Sequence, residues 1–303
     1  MNPVSTYCFV INCSSNSYRA EAFFKKREKL LRQELPGHSE FIYIRKGDSI
    51  LEIAREKASV FSHIVACGGD GTVNRVANAI IGSQAVMGVI PLGSGNDFAQ
   101  NIGLPLNFEK NLQVLFEDNK TSVDAIKTEW GYFLNTFGIG VDGLTNYYSN
   151  NSPFKHGGLK YFWAGLRALF ESKPFNVTLK IREPAQVIKR KAWMVTIANG
   201  KTEGGRYIIS PNSLYNDGEV ELILVKKVPK VRLITEFIKL SFGYSFKEDI
   251  VEVFKSRKEF DVQTESNLKV HADGEQVDNR GNSFSFSVQK GALQVVTNKA
   301  YSS

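Results

Sequence analysis

Residues 62–103 read SHIVACGGDGTVNRVANAIIGSQAVMGVIPLGSGNDFAQNIG. Two apolar runs, His63 to Cys67 and Ala85 to Pro91, each lead into a glycine-rich turn, and each turn opens into a helix-like segment. Strand, glycine turn and helix N-terminus together make a cradle of main-chain N–H groups suited to phosphate. The pattern occurs twice within about forty residues. That repetition predicts two anion-binding turns lying side by side on one sheet edge.

The first turn can be read residue by residue. Gly68, Gly69 and Gly71 lack a Cβ, so the backbone can take positive φ and approach a ligand closely, and successive N–H groups there form a concave anion site. Thr72 is the expected N-cap, Val73, Val76, Ala77 and Ile80 recur at helical spacing, and Gly82 stands where a helix-ending glycine belongs. Asp70 puts an acid where a bare phosphate site would prefer neutral or basic groups. A cation bridging carboxylate and phosphate explains that sign; the plainer alternative is an acid that only stabilises the turn. The second turn is Leu92 to Asp97. Its Ser94 can donate a hydroxyl to phosphate. Asn96 or Asp97 can cap the helix Phe98 to Ile102, which Gly103 and Pro105 end.

The flanking sequence gives the turns a setting. Thr6 to Ile11 and Phe41 to Ile44 read as strands. Tyr18 to Leu35 reads as an amphipathic helix ended by Pro36-Gly37. Ser49 to Phe61 reads as a helix begun by a Ser49/Glu52 capping box. Four strand–helix units in about 105 residues imply a doubly wound, mostly parallel sheet whose ligand edge is the carboxyl end of its strands. Asn12 and Tyr43 would project from that edge beside the two turns. Asn107 to Asn119 is a further helix.

From Thr121 the pattern changes to period-2 alternation: Phe175, Val177, Leu179 and Ile181; Val220, Leu222 and Leu224; Phe284, Phe286 and Val288. This predicts a mostly antiparallel β-sandwich, interrupted by helices at Leu159 to Phe170 and Lys230 to Phe242. Tyr161, Phe162, Trp163, Leu166, Leu169 and Phe170 could form a lipid-contacting stripe, but ordinary core is the commoner meaning of such a set. The expected domains are 1–122 and 123–290, with 291–303 joining the first.

The length of 303 residues fits two domains. No run of 18 apolar residues is present to cross a membrane, and the first residues lack the basic and cleavable character of a signal peptide. Cys8, Cys13 and Cys67 lack metal spacing and read as reduced structural thiols. Four scattered histidines give little support to a histidine metal site or triad. The net charge is +7. It fits a nucleotide or an anionic membrane surface; no nucleic-acid motif accompanies it, so nucleic acid is not an expected partner. Basic clusters at Lys25-Lys26-Arg27, Lys189-Arg190-Lys191, Lys226-Lys227 and Lys230 suit anionic lipid.

GGDGT followed by PLGSGNDFA resembles the diacylglycerol kinase catalytic domain of bacterial YegS/BmrU-like lipid kinases and of sphingosine kinases. GGDGT alone would also fit NAD kinases; the second motif favours the lipid kinases. The resemblance implies an ATP-dependent lipid kinase with ATP in an interdomain cleft. The phosphates would rest on Gly68, Gly69, Asp70, Gly71, Thr72, Val73 and Asn74 and on Gly93, Ser94, Gly95, Asn96 and Asp97, near Asn12 and Tyr43, with Asp70 engaging the catalytic Mg²⁺. Asn199-Gly200, Glu203-Gly204-Gly205 and Pro211 to Gly218 resemble the family's second-domain signature. There a structural Mg²⁺ is implied at the Asp217 carboxylate and the carbonyls of Leu214 and Glu219; by itself Asn216-Asp217-Gly218 spells a tight turn, and a metal can staple such a turn. His271-Ala272-Asp273-Gly274-Glu275 resembles the DGE signature, which implies Glu275 as proton acceptor, with Asp273 the alternative.

The resemblance further implies a cytoplasmic enzyme peripheral to the inner face of the membrane, a lipid substrate at that surface, a homodimer as a common assembly, and a last apolar run, Ala292 to Val296, that returns to the first domain. Cys13, Tyr43 and Glu203 depart from the family's usual residues. The competing functions are an NAD kinase-like enzyme acting on a soluble substrate and a non-catalytic lipid- or nucleotide-binding protein.

Overall fold

The apolar runs at 7–11, 63–67 and 86–91 are too continuous for strands with one wet face, and they are buried along almost their whole length. In the computed structural model, which describes residues 5–35, 37–154, 158–278 and 281–299, they form the centre of a parallel sheet. The expected helix-stopper Pro36 and one of the four histidines, His156, lie outside the described residues. The chain divides into two units, Met1–Val123 with Gly291–Ser303, and Asp124–Lys290.

The first unit runs β1 (Tyr7–Asn12), α1 (Ser15–Tyr18), α2 (Ala20–Glu34), β2 (Ser39–Ile44), α3 (Ile50–Lys57), β3 (His63–Gly68), α4 (Asp70–Ile80), β4 (Val86–Pro91), α5 (Asp97–Asn101), α6 (Phe108–Glu117) and the start of β5 (Lys120–Thr128). β2, β1, β3 and β4 lie side by side in that order, all parallel. The register sets Asn12 opposite Ile44, Ile11 opposite Tyr43, and Gly68 opposite Pro91. The carboxyl ends therefore align, and both glycine turns leave from them. Val295 pairs in parallel with Met87, so the final strand supplies a fifth member at the β4 edge. The α3 cap is the expected one: Ser49 Oγ accepts the Glu52 N–H at 3.3 Å. The first long helix differs from expectation. Tyr18 takes a left-handed conformation (φ 65°) and splits off α1, so α2 begins at Ala20. Cys8 and Cys67 are free and buried, and burial pushes the Cys8 thiol up to about 12.

The second unit takes up β5 and continues with β6 (Gly131–Phe133), β7 (Thr136–Gly140), α7 (Val141–Asn150), α8 (Gly158–Glu171), β8 (Phe175–Arg182), β9 (Ala185–Ala198), β10 (Thr202–Glu203), β11 (Tyr207–Ile208), β12 (Val220–Lys226), α9 (Lys230–Ser241), β13 (Val251–Ser256), β14 (Glu259–Thr264), β15 (Val270–Ala272), β16 (Glu275–Gln276) and the first part of β17 (Ser283–Val296). Its pairings are antiparallel. The alternation read in the sequence holds in β8 and at the start of β17, where Phe175, Val177, Leu179, Ile181, Phe284 and Phe286 point into one core; β12 differs, since Glu221, Ile223 and Val225 between its core residues are buried too. The α8 stripe divides. Leu169 is buried, whereas Phe170 is 66% exposed.

Candidate active site

In the first unit the two glycine turns touch. A Cβ added to Gly93 would lie 2.6 Å from Gly69 Cα, and one added to Gly69 would lie 3.1 Å from Gly93 Cα. Only glycine allows two backbones this close. Gly68 is equally confined, since a Cβ there would collide with Thr72 Oγ1.

The capping differs from expectation at both turns. Gly69, in extended conformation, is the N-cap of α4, and Thr72 lies inside the first turn of the helix. Thr72 Oγ1 instead accepts from Asn12 Nδ2 at 2.9 Å, which ties the end of β1 to the turn after β3. Asn96 precedes α5 in the left-handed conformation (φ 55°) and gives the helix no side-chain cap. Its amide closes the turn on Gly93, accepting that residue's N–H at 2.8 Å and donating to its carbonyl at 2.9 Å. The helix is capped from the neighbouring turn, because Asp70 Oδ1 accepts the Phe98 N–H at 3.2 Å. Asp70 therefore locks the two turns together. Tyr43 stands half-buried at the same sheet edge, but its hydroxyl donates to Glu28 Oε2 at 2.8 Å. Burial and that carboxylate push its pKa up.

In the second unit the residues of the HADGE turn take unequal roles. Asp273, in left-handed conformation (φ 47°), is 7% exposed. Its oxygens accept the N–H groups of Leu134 (2.8 Å), Asn135 (2.8 Å) and Thr136 (3.1 Å). Three backbone donors fix the carboxylate in place. Asp273 is thus built as a clamp, a poor choice of proton acceptor. Glu275 is exposed.

At the implied structural metal position, Asp217 Oδ1 accepts the Glu219 N–H at 2.9 Å. The Glu219 carboxylate is held by Lys255 (3.0 Å) and Arg257 (2.6 Å), which lower its pKa. The group Glu219 can offer a metal is then its carbonyl, as the resemblance implied. Leu214 is 47% exposed. One carboxylate with main-chain carbonyls is a hard-oxygen donor set that suits Mg²⁺. Asp124, fully buried, fastens this loop: its Oδ2 accepts the Gly218 N–H at 2.6 Å and its N–H donates to the Tyr215 carbonyl at 2.7 Å. Sequence reading passed over Asp124, although an acid inside the apolar run Val123 to Ile126 was a signal.

A second cluster also escaped it. His271, 0% exposed, has Nε2 at 2.9 Å from Glu203 Oε1 and 3.2 Å from Asp142 Oδ1. Burial disfavours a charged His271, but the two carboxylates outweigh it and hold the pKa well above the imidazole value. Burial and the neighbouring Asp142 raise that of Glu203. The Gly274 N–H lies 3.3 Å from His271 Nδ1, so the HADGE turn folds back over the ring. The trio is a hydrogen-bonded cluster whose three ligand-type atoms lie within 4.8 Å of one another.

Comparison with known proteins agrees with this geometry. Residues 6–128 match the family model "Diacylglycerol kinase catalytic domain", and residues 135–297 match "YegS C-terminal NAD kinase beta sandwich-like domain". The chain is 27% identical over 270 residues to a diacylglycerol kinase of Staphylococcus haemolyticus, covering 86% of this chain and 80% of that one. It is 31% identical over 188 residues to a Yersinia pestis protein named "Probable lipid kinase YegS-like", a match spanning 59% of this chain and 62% of the relative, less than two thirds of its length. Its fold is that of a diacylglycerol kinase crystal structure from Bacillus anthracis, with a TM-score of 0.77, 21% identity, and coverage of 99% and 100% of the two chains.

Proposed function

Because the chain belongs to the lipid kinase family that joins a diacylglycerol kinase catalytic domain to a YegS C-terminal domain, we propose that it moves the γ-phosphate of ATP onto the hydroxyl of diacylglycerol or a related lipid. The observation that carries this reading is the close approach of the Gly69 and Gly93 turns, cross-linked by Asp70. Two adjacent nests of backbone N–H groups suit the adjacent phosphates of a triphosphate. Asp70, at their junction, would hold Mg²⁺, which neutralises charge on the transferring phosphate. Asp217 would hold a second, structural ion. Glu275 would take the hydroxyl proton, since Asp273 is committed to three backbone donors.

The lipid tail would enter an apolar cavity of the second unit walled by α7, α8, β9 and α9. The outer side of α9 and the turn after it expose Val231, Ile238, Phe242 and Tyr244. Residues 226–250 carry six basic against three acidic side chains. Apolar and basic groups together suit peripheral attachment to an anionic membrane face.

The test is Asp70→Asn, assayed with ATP and Mg²⁺ on diacylglycerol micelles and, in parallel, on NAD. We expect lipid phosphorylation by the parent and a loss of about 10²-fold or more in the variant. Its thermal midpoint should be nearly unchanged, because the amide oxygen of the substituted side chain can still accept the Phe98 N–H. Undiminished turnover, or transfer to NAD in preference to lipid, would refute the assignment.

A further inference from the structure

The cavity of the second unit measures about 670 Å³ with its open mouth included. Leu169, Met194, Leu233, Phe237 and Leu240 belong to its apolar wall. Its polar lining is gathered at one place. Asp142 and Glu203 both line it and converge on His271 behind them, and Asn146 lies one turn beyond Asp142 on α7. Tyr207 lines it as well, with a buried hydroxyl that has no hydrogen-bond partner among the described residues.

Two carboxylates share one imidazole. Thr196 Oγ1 donates to Asp142 Oδ2 as well, and an acid-rich end facing an apolar space favours a hydrogen-bond donor or a cation and disfavours a second anion. Glu203 is the more adjustable acid. It sits on the two-residue β10, is followed by two positive-φ glycines, Gly204 and Gly205, and keeps 19% exposure while His271 has none. The polar end also adjoins the HADGE turn: Asn146 Nδ2 donates to the Gly274 carbonyl at 2.6 Å, one residue before Glu275. A head group held at Asp142 and Glu203 would lie next to that turn.

We propose that Asp142 and Glu203, clamped by His271, form a head-group subsite that selects lipids whose heads donate hydrogen bonds and carry no negative charge. Its catalytic meaning rests on the lipid kinase reading; its binding does not. Glu203 is a specificity-determining residue in this scheme, acting by repulsion of anions as much as by attraction.

The experiment measures binding of dioctanoylglycerol and of dioctanoyl-phosphatidylglycerol to the full chain by calorimetry, without ATP, for the parent, Glu203→Gln and Asp142→Asn. The parent should favour the neutral lipid by about tenfold or more. Each variant should lose most of that preference, chiefly by tightening on the anionic lipid. Two variants guard against one that misfolds, which a thermal melt reports. Equal preference in the parent and in folded variants, or tighter binding of phosphatidylglycerol by the parent, overturns the proposal. Discrimination in binding without any phosphate transfer would sustain the subsite while removing the kinase reading.

Discussion

The first unit builds its proposed anion site from main chain, and the second gathers its charges through side chains. In the Gly68 and Gly93 turns the groups that the proposal uses are backbone N–H donors, and glycine lets the two loops approach within a Cβ's breadth. The acid in the first turn, Asp70, commits one oxygen to the helix after the second. In the second unit Asp142, Glu203 and His271 come from three distant places in the chain and hold one another. A main-chain site is local and sensitive to added bulk; a side-chain cluster is long-range and sensitive to charge.

Three substitution experiments press on that contrast. The largest effect separates two acids two residues apart in the HADGE turn. Glu275→Gln should lower kcat about 10²- to 10⁴-fold while the melting temperature holds. Asp273→Ala should behave oppositely, stripping the acceptor from three backbone donors and costing about 3 kcal/mol of stability or more. A melt paired with a turnover assay reads both; a stable, inactive Asp273→Ala would reverse the two roles.

Gly93→Ala comes next. The new methyl would press on Gly69 Cα and Asn96 Oδ1, separating the turns at about 1–3 kcal/mol and raising the KM for ATP. Gly82→Ala is the control. Gly82 has positive φ (86°) but open space around it, so the change should cost stability without touching nucleotide affinity.

The smallest effect is one of pH. His63 starts β3, with Nε2 2.8 Å from Asp118 Oδ1, and burial lowers its pKa in spite of that carboxylate. Its neutral form is the one the fold favours, so its contribution is complete above the unfolded value of about 6.5 and is lost as pH falls towards the lower folded value. His271 is raised, so its contribution is complete below about 6.5 and is lost as pH rises through the folded value. Hydrogen-exchange protection, corrected for intrinsic rates, should therefore weaken in β3 on acidification and in β15 at alkaline pH. His63→Gln should flatten the first trend alone; a shared slope in both strands would show that these histidines do not govern it.

Much of the molecule was legible in the sequence because its signals are local. Continuous apolar runs marked buried parallel strands, alternation marked the antiparallel strands, and glycine spelling marked both turns. Capping was read less well. Thr72 looked like a cap and is an acceptor for Asn12; α5 looked self-capped and is capped by Asp70. Both errors have one cause: a hydroxyl or carboxylate takes the donor nearest in space, which the end of β1 supplies from 60 residues away and the start of α5 from 28.

The sequence alone determined that the chain has a parallel α/β part with two phosphate-type turns and an antiparallel β part, since strand period and glycine conformation are properties of short segments. Only the tertiary structure decided that Asp273 is a clamp, that Asp124 fastens the 215–218 loop, and that Asp142, Glu203 and His271 meet at a cavity. A carboxylate's role depends on which donors surround it, and those donors are brought together by folding.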